Sequence, residues 1–237
     1  MGYEFDWYVI IEYKELLLKG LIMTIKLSII GIFFSFFIGS LVGIARSSKN
    51  FFISLLASYY VEFFRNIPLI VQIFFFYFAF SLSEVFPFLK TLSHLLGVEN
   101  SDEFFAALFA LILYTAAYIA ESVKAGIVSI SKGQDEAAKT LGLNSFQRMY
   151  HIIFPQAFRI IIPPLTSQFL NLIKNSSLAM TVGVAELTFS SQQIDADTFR
   201  GFEAATVVTI LYIMLTLFTS FWMNLLEIKF SKGFKNA

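Results

Sequence analysis

The chain contains no cysteine, so disulfides, thiolate-held metals and thiol catalysis are excluded. Histidine occurs only at His94 and His151, too few for an imidazole metal cluster. Charge is scarce, at 14% of 237 residues, where soluble domains carry about 25%. Neither sign is in excess: 17 basic residues face 17 acidic ones. A nucleic-acid binder needs a basic face, so that class is set aside. Proline is limited to five residues and glycine to 12. Apolar residues are abundant, at 57% with 30 phenylalanines, and mean hydropathy is +0.72. A water-soluble monomer of this size cannot hide so much apolar surface, because even a large domain buries only about three quarters of its chain surface. Soluble enzymes, disordered proteins and collagen-like fibres are thereby excluded.

Crossing about 30 Å of hydrocarbon takes roughly 20 apolar residues. Four stretches meet this directly: about Leu21 to Ala45, Phe51 to Leu82, Phe104 to Ala120 and Ala204 to Leu226. A fifth, about Ile160 to Val184, is expected to be broken by Pro163 and Pro164. The expected fold is an all-α polytopic membrane protein of about five transmembrane helices.

Orientation follows from the basic residues of the connecting segments. With the N-terminus outside, the inside holds Arg46, Lys49, Lys124, Lys132, Lys139, Arg148, Arg159, Lys229, Lys232 and Lys235. The outside holds Lys14, Lys19, Lys90 and Arg200, while Lys26, Arg65 and Lys174 fall within spans. The expected topology is therefore N-terminus outside and C-terminus inside. Acids follow the reverse gradient, with Glu84, Glu99, Asp102, Glu103, Asp195 and Asp197 among those outside. Residues 1–20 carry Glu4, Asp6, Glu12 and Glu15 and do not read as a signal peptide. Trp7, Tyr8 and Tyr13 suit either an interfacial helix on the outer face or an ordered lead into the first span. The expected division is this outer segment, a permease domain over 21–229 and a cytoplasmic tail over 230–237.

The inside segment from Ser129 to Phe158 has the most informative pattern. Gly133 frees the backbone ahead of a helix, and Gln134, Asp135 and Glu136 open it, with acids where the helix dipole favours them. Ala137 and Ala138 leave a low surface that a partner's groove can approach. Gly142 fits a left-handed helix terminus, and Asn144 with Gln147 has the spacing of a capping box. A short helix of this kind, projecting from a membrane protein, has the form of a docking peg.

Glu136-Ala137-Ala138, Gly142, Ile152 and Pro155 together resemble the EAA loop of bacterial ABC importer permeases. Phe154 stands where that family more often has leucine. Arg65-Asn66-Ile67-Pro68-Leu69-Ile70-Val71-Gln72 resembles the RGTP-hydrophobic-VQ stretch of the polar amino acid subfamily, with Asn66 and Ile67 in place of Gly-Thr. Ala117-Tyr118-Ile119-Ala120-Glu121, with Gly126, Ile127, Gly133 and Gln134, resembles its AYxAE…G-I…GQ run, Lys124 replacing an arginine. Leu172 to Leu178 with Glu186-Leu187 resembles its LLKxTSL…EL run, Ser176 replacing a threonine. The similarity covers about Gly20 to Glu227.

The resemblance implies a type I ABC importer-like permease of a bacterial plasma (inner) membrane, with a cytoplasmic coupling helix. It implies two ABC ATPase subunits docked through that helix, a second identical or related permease subunit and an extracytoplasmic amino acid-binding protein. ATP and Mg would be bound by the ATPase; this chain has no G-x-x-x-x-G-K-[ST] phosphate loop and needs no cofactor of its own. The implied solutes are polar or charged amino acids.

Ionisable groups at membrane depth are costly and mark function by default. Glu62 and Arg65, three residues apart, are placed to pair on one helix. Pro68 predicts a kink near Asn66 to Pro68, of the kind that lines transporter cavities; a tilted helix with Arg65 snorkelling outward is the alternative. Lys174, followed by Ser176 and Ser177, has three readings: contact with a solute carboxylate, a gate with Glu186, or reach to the outer interface. Glu121 and Lys124 are expected to pair within one helix. Gln72 and Tyr118 are candidate pore-facing groups. Gly39 and Gly43 have the small-xxx-small spacing of close helix contact. An ion-driven transporter is the other transport class, but such chains are usually larger or carry internal repeats. A non-transporting membrane scaffold would not explain Arg65, Lys174 or the loop.

Overall fold

The computed structural model describes residues 3–99 and 101–231. Among them every regular element is helical. In chain order these are α1 (Tyr8–Glu12), α2 (Lys14–Arg46), α3 (Phe51–Asn66), α4 (Leu69–Ala79), α5 (Leu82–Val85), α6 (Phe88–Leu96) and α7 (Ser101–Val128). There follow α8 (Lys132–Thr140), α9 (Ser145–Arg148), a π-helical turn (Met149–Ile153), α10 (Phe154–Asn175), a 3-10 segment (Ser176–Val182), α11 (Leu187–Thr198) and α12 (Gly201–Ser231). Most of the expected tail, 232–237, lies outside the described residues, as do residues 1–2 of the outer segment.

Helices α2, α7 and α12 are long and apolar enough to cross a membrane, and α3 with α4 makes a fourth such span if counted as one broken pair. Helix α10 has the length, at 22 residues, but Gln156, Arg159, Gln168, Asn171 and Lys174 keep it more polar.

The second apolar stretch breaks where the proline chemistry requires. Asn50 caps α3, its side chain accepting from the Phe52 and Ile53 amides. At the other end Ile67 is extended, at φ −102° and ψ 129°, because a residue before proline is pushed out of the helical region. Pro68 then leads into α4, where its missing N–H is no loss.

Pro163 and Pro164 do not break the fifth stretch, contrary to expectation; both lie inside α10. Proline's fixed φ is itself helical, and only two amide donors are lost. The two lost donors are those that would meet the carbonyls of Arg159 and Ile160, one turn back on the same helix. The real irregularities flank this helix: the π turn before it and the 3-10 segment after it.

Two compact units are formed by the chain. One comprises Met1–Phe33, Pro68–Ile112 and Asn171–Phe218. Val9, Leu17, Leu187, Ile194, Ala204 and Val208 form an apolar cluster in it. Its N-terminal residues close on Glu203: the Tyr3 hydroxyl donates at 2.5 Å and the Asp6 amide at 2.8 Å. Glu203 is fully buried. Lys26 donates to the Leu96 carbonyl at 2.5 Å, at the C-terminal end of α6 where the helix dipole is negative. That contact satisfies an ammonium on a membrane-spanning helix.

The other unit comprises Phe34–Ile67, Leu113–Leu170 and Thr219–Ala237. Here α2 and α7 approach through Gly39 and Gly43. A Cβ added at Gly39 would stand 2.7 Å from the Ala116 carbonyl oxygen, and one at Gly43 2.8 Å from that of Ala120. Without a hydrophobic drive between helices in lipid, such close packing through small residues is what associates them. Ile119, Val123, Ala157, Ile161 and Leu165 complete a buried cluster between α7 and α10.

Candidate coupling and translocation sites

The Ser129 to Phe158 segment folds as an elbow of two helices. Helix α8 starts at Lys132, so Gly133 lies in its first turn rather than ahead of it. The chain already turns at Ser131 (φ −56°, ψ 130°), and the freedom of Gly133 is not drawn on. Glu136 and Ala137 are exposed, but Ala138 is 2% exposed. The low surface is therefore offered by Ala137 alone. Gly142 ends the helix at φ +79°, with the Leu143 amide donating back to the Ala138 carbonyl. Asn144 and Gln147 form the full capping box: the Asn144 side chain accepts from the Gln147 amide, and the Gln147 side chain from the Asn144 amide.

Asp135 is the hub of this elbow. Its carboxylate accepts from Arg148 Nε at 2.6 Å and lies 3.1 Å from Lys139 Nζ and 3.8 Å from Lys49 Nζ. The Arg148 hydrogen bond, and then that of Lys139, hold Asp135 below the usual carboxylate range. Gln134 pairs with Gln156 at 2.7 Å. Ile152 lies in the π turn and Pro155 in the first turn of α10.

An ion network lies in the same unit. Arg46 donates to Glu62 at 3.0 Å, to Ser58 at 3.2 Å and to Glu121. Arg65 donates to the same Glu121 oxygen at 3.1 Å, and its guanidinium lies 5.1 Å from the centre of the Tyr118 ring. Two local expectations are thus corrected. Glu62 pairs with Arg46 rather than Arg65, and Glu121 with Arg46 and Arg65 rather than Lys124. A guanidinium presents several donors in a fork and reaches partners on two other helices, which a one-helix spacing rule does not capture. Tyr118 also meets the Tyr114 hydroxyl at 3.3 Å. An open cleft of about 630 Å³ beside Glu62 is walled by Tyr59, Tyr60, Phe63, Asn66 and Ile67.

In the first unit, Gln72 is buried on α4, which packs against the 3-10 segment. Lys174 and Ser177 line a cleft of about 350 Å³ with Thr188, Ser191, Thr209 and Tyr212. Glu186 is fully buried and caps α11: it accepts from the Phe189 amide at 2.8 Å and the Tyr212 hydroxyl at 2.6 Å. Tyr212 and Phe189 therefore take the carboxylate expected as a gate partner for Lys174. The Ser176 and Ser177 hydroxyls donate to carbonyls three residues back, Ile173 and Lys174. Among the described residues no cluster of His, Asp and Glu has a metal-holding arrangement.

Sequence reasoning treated Arg46 and Arg148 only as inside charge, although each is the anchor of its network. It also missed Tyr212, the donor to Glu186. Each joins residues far apart in the chain, with one local exception: Arg148 follows Asp135 by 13 positions, across a turn already marked by Gly142.

Three helices of membrane length among the described residues, with a broken pair as a fourth such span, define a polytopic membrane protein. Residues 31–232 match the model of the binding-protein-dependent transport system inner membrane component, and the chain belongs to that family. It is 36% identical over 230 residues to the probable glutamine ABC transporter permease protein GlnM of Bacillus subtilis, covering 95% of this chain and 98% of the relative. It is 33% identical over 238 residues to the glutamate/aspartate import permease protein GltJ of Escherichia coli K12, covering 97% and 96%. A solved amino acid ABC transporter, crystallised with histidines, superposes with a TM-score of 0.79 at 30% identity over 96% of this chain and all of that one. The MetNI methionine transporter, at 21% identity and a TM-score of 0.74 over 92% of this chain and 98% of that one, shares the fold.

Proposed function

We propose that this chain is the permease subunit of an ATP-driven importer of polar or charged amino acids. Support comes from the relatives, which are named as glutamine and glutamate/aspartate permeases. The single carrying observation is the elbow, a short helix closed by left-handed Gly142 and presenting exposed Glu136 and Ala137. In this reading Gly133, Gln134, Asp135, Glu136, Ala137, Ala138, Gly142, Ile152 and Pro155 form the coupling element for a separate ATPase, which holds ATP and Mg. Two ATPases and a second permease subunit complete the importer, and an extracytoplasmic binding protein delivers the solute. The N-terminus lies outside and the C-terminus in the cytoplasm, with 1–20 as outer segment, 21–229 as permease domain and 230–237 as tail.

The solute's route is proposed along Glu62, Arg65, Pro68, Gln72, Tyr118, Glu121, Lys174, Ser176, Ser177 and Glu186. Lys174, in a cleft rich in hydroxyls, is the cation offered to the solute carboxylate. Glu62, Arg65, Tyr118 and Glu121 belong to the ion network, and Pro68 to the helix break.

Docking is tested by Glu136→Lys. Co-purification of the ATPase is expected to fall by at least about tenfold, the effect of roughly 1.4 kcal/mol at an interface, while membrane insertion stays normal. Retained ATPase and intact transport would overturn the docking assignment. For the route, Lys174→Met is expected to lower uptake by about tenfold or more, since a charge-assisted contact contributes roughly 1.5–3 kcal/mol. Wild-type uptake with unchanged amino acid preference would remove Lys174 from the route.

A further inference from the structure

Arg148 is 9% exposed, the most enclosed charged side chain of the elbow. All three guanidinium nitrogens are engaged, each with a different part of the segment. Nε donates to Asp135 of α8 at 2.6 Å, Nη1 to the Leu143 carbonyl of the turn at 2.9 Å, and Nη2 to Ser145 of α9 at 3.2 Å. The turn itself is one in which glycine is required, Gly142 at φ +79°, and nothing lies within 4 Å of its added Cβ. Contacts at Gly142 itself therefore do not hold the angle between α8 and α9; the Arg148 fork spans it with three contacts, beside the single Gln134–Gln156 hydrogen bond from α8 to α10. Arg148 is also the last residue of α9. From there the helical run continues without interruption through the π turn and α10 to Asn175.

We infer that Arg148 is a positioning residue for coupling: a three-point strut that makes α8 and the α9–α10 rod move as one lever. This rests on the reading of α8 as the ATPase-docking helix and adds how its displacement reaches a membrane helix. Without the strut, α8 still docks, but it pivots about Gly142 and its motion is lost at the turn. Lysine in place of Arg148 gathers its donors on one nitrogen and cannot reproduce the spread of the guanidinium fork, whose three partners meet three different nitrogens.

The test uses the whole importer, permease with ATPase and binding protein, in proteoliposomes. The probe is a mixture of the radiolabelled proteinogenic amino acids. Arg148→Met is expected to keep the ATPase bound and hydrolysing, while moles transported per ATP fall by about five- to tenfold, a typical coupling factor. Arg148→Lys should fall between wild type and Arg148→Met. A wild-type ratio in Arg148→Met overturns the strut. So does an equal loss of uptake and hydrolysis with the ratio preserved, which marks a merely structural residue.

Glu136→Lys separates the two readings. If it leaves the ATPase bound, the docking assignment has failed. If it releases the ATPase while Arg148→Met couples normally, the strut alone has failed. Should Arg148→Met not assemble, spin labels decide. The chain has no cysteine, so Lys132→Cys and His151→Cys are labelled selectively. Their distance distribution should broaden in the Arg148→Lys background, and an unchanged distribution overturns the proposal.

Discussion

Gly43→Leu is expected to abolish folded permease, and Gly43→Ala to lower its thermal stability. In an open helix interior, glycine to alanine stabilises by about 0.5–1 kcal/mol. At Gly43 the sign reverses. The new Cβ would meet Val123 Cβ at 2.6 Å and the Ala120 carbonyl oxygen at 2.8 Å. A side chain can rotate away, but a carbonyl in mid-helix moves only with its helix. Helix α7 is in turn held by Ile119 and Val123 against Ala157 and Ile161. Overpacking of this kind costs about 1–3 kcal/mol for small increments and more for a branched residue. Gly133→Ala is the internal control: its nearest neighbour is 3.6 Å away, so that change should be neutral or stabilising. Thermal unfolding in detergent, with folded yield by size-exclusion chromatography, measures both. A Gly43→Ala protein as stable as wild type would show that α2 and α7 tolerate separation.

Glu121→Gln is the second change with a large expected effect. One carboxylate oxygen serves both Arg46 and Arg65, so neutralising it leaves Glu62 as the remaining carboxylate of the network for two guanidinium groups. Arg46 has a side chain only 9% exposed, while that of Glu121 is 40% exposed. Breaking a buried ion pair costs roughly 3–5 kcal/mol; partial solvation of Glu121 reduces the expectation to about 2 kcal/mol. Glu62→Gln should cost less, because the Glu62 side chain is 56% exposed. A double-mutant cycle with Arg46→Met isolates the pair. Additivity of the two changes within about 0.5 kcal/mol would mean that the Arg46–Glu121 pair contributes nothing to stability.

What the sequence made legible follows the range of each interaction. Gly142, the Asn144–Gln147 box and the break before Pro68 are local, decided within four residues, and each is found where its chemistry puts it. The glycine pair on α2 was legible as a spacing, though not which helix it meets. Arg46 and Glu121 lie 75 positions apart, and Tyr3 and Glu203 lie 200 apart. No periodicity links such residues, and only the folded chain joins them. Proline was misread for a different reason. The same residue ends α3 at Pro68 and is absorbed at Pro163 and Pro164, and which outcome prevails depends on the helix around it.

The π turn at Met149–Ile153 gives the chain a surplus residue at that point. A π turn holds one residue more than the α-helical turn it replaces. The turn sweeps nearly the same angle as an α-helical turn, so deleting one residue there would restore plain α-helix and leave Arg148 on the same side of the α10 axis. Deleting a residue from the plain helix beyond it would instead rotate everything upstream by about 100°. The π turn is thus a slack link: it absorbs a surplus residue, and within Met149–Ile153 a single deletion spares the azimuth of α8.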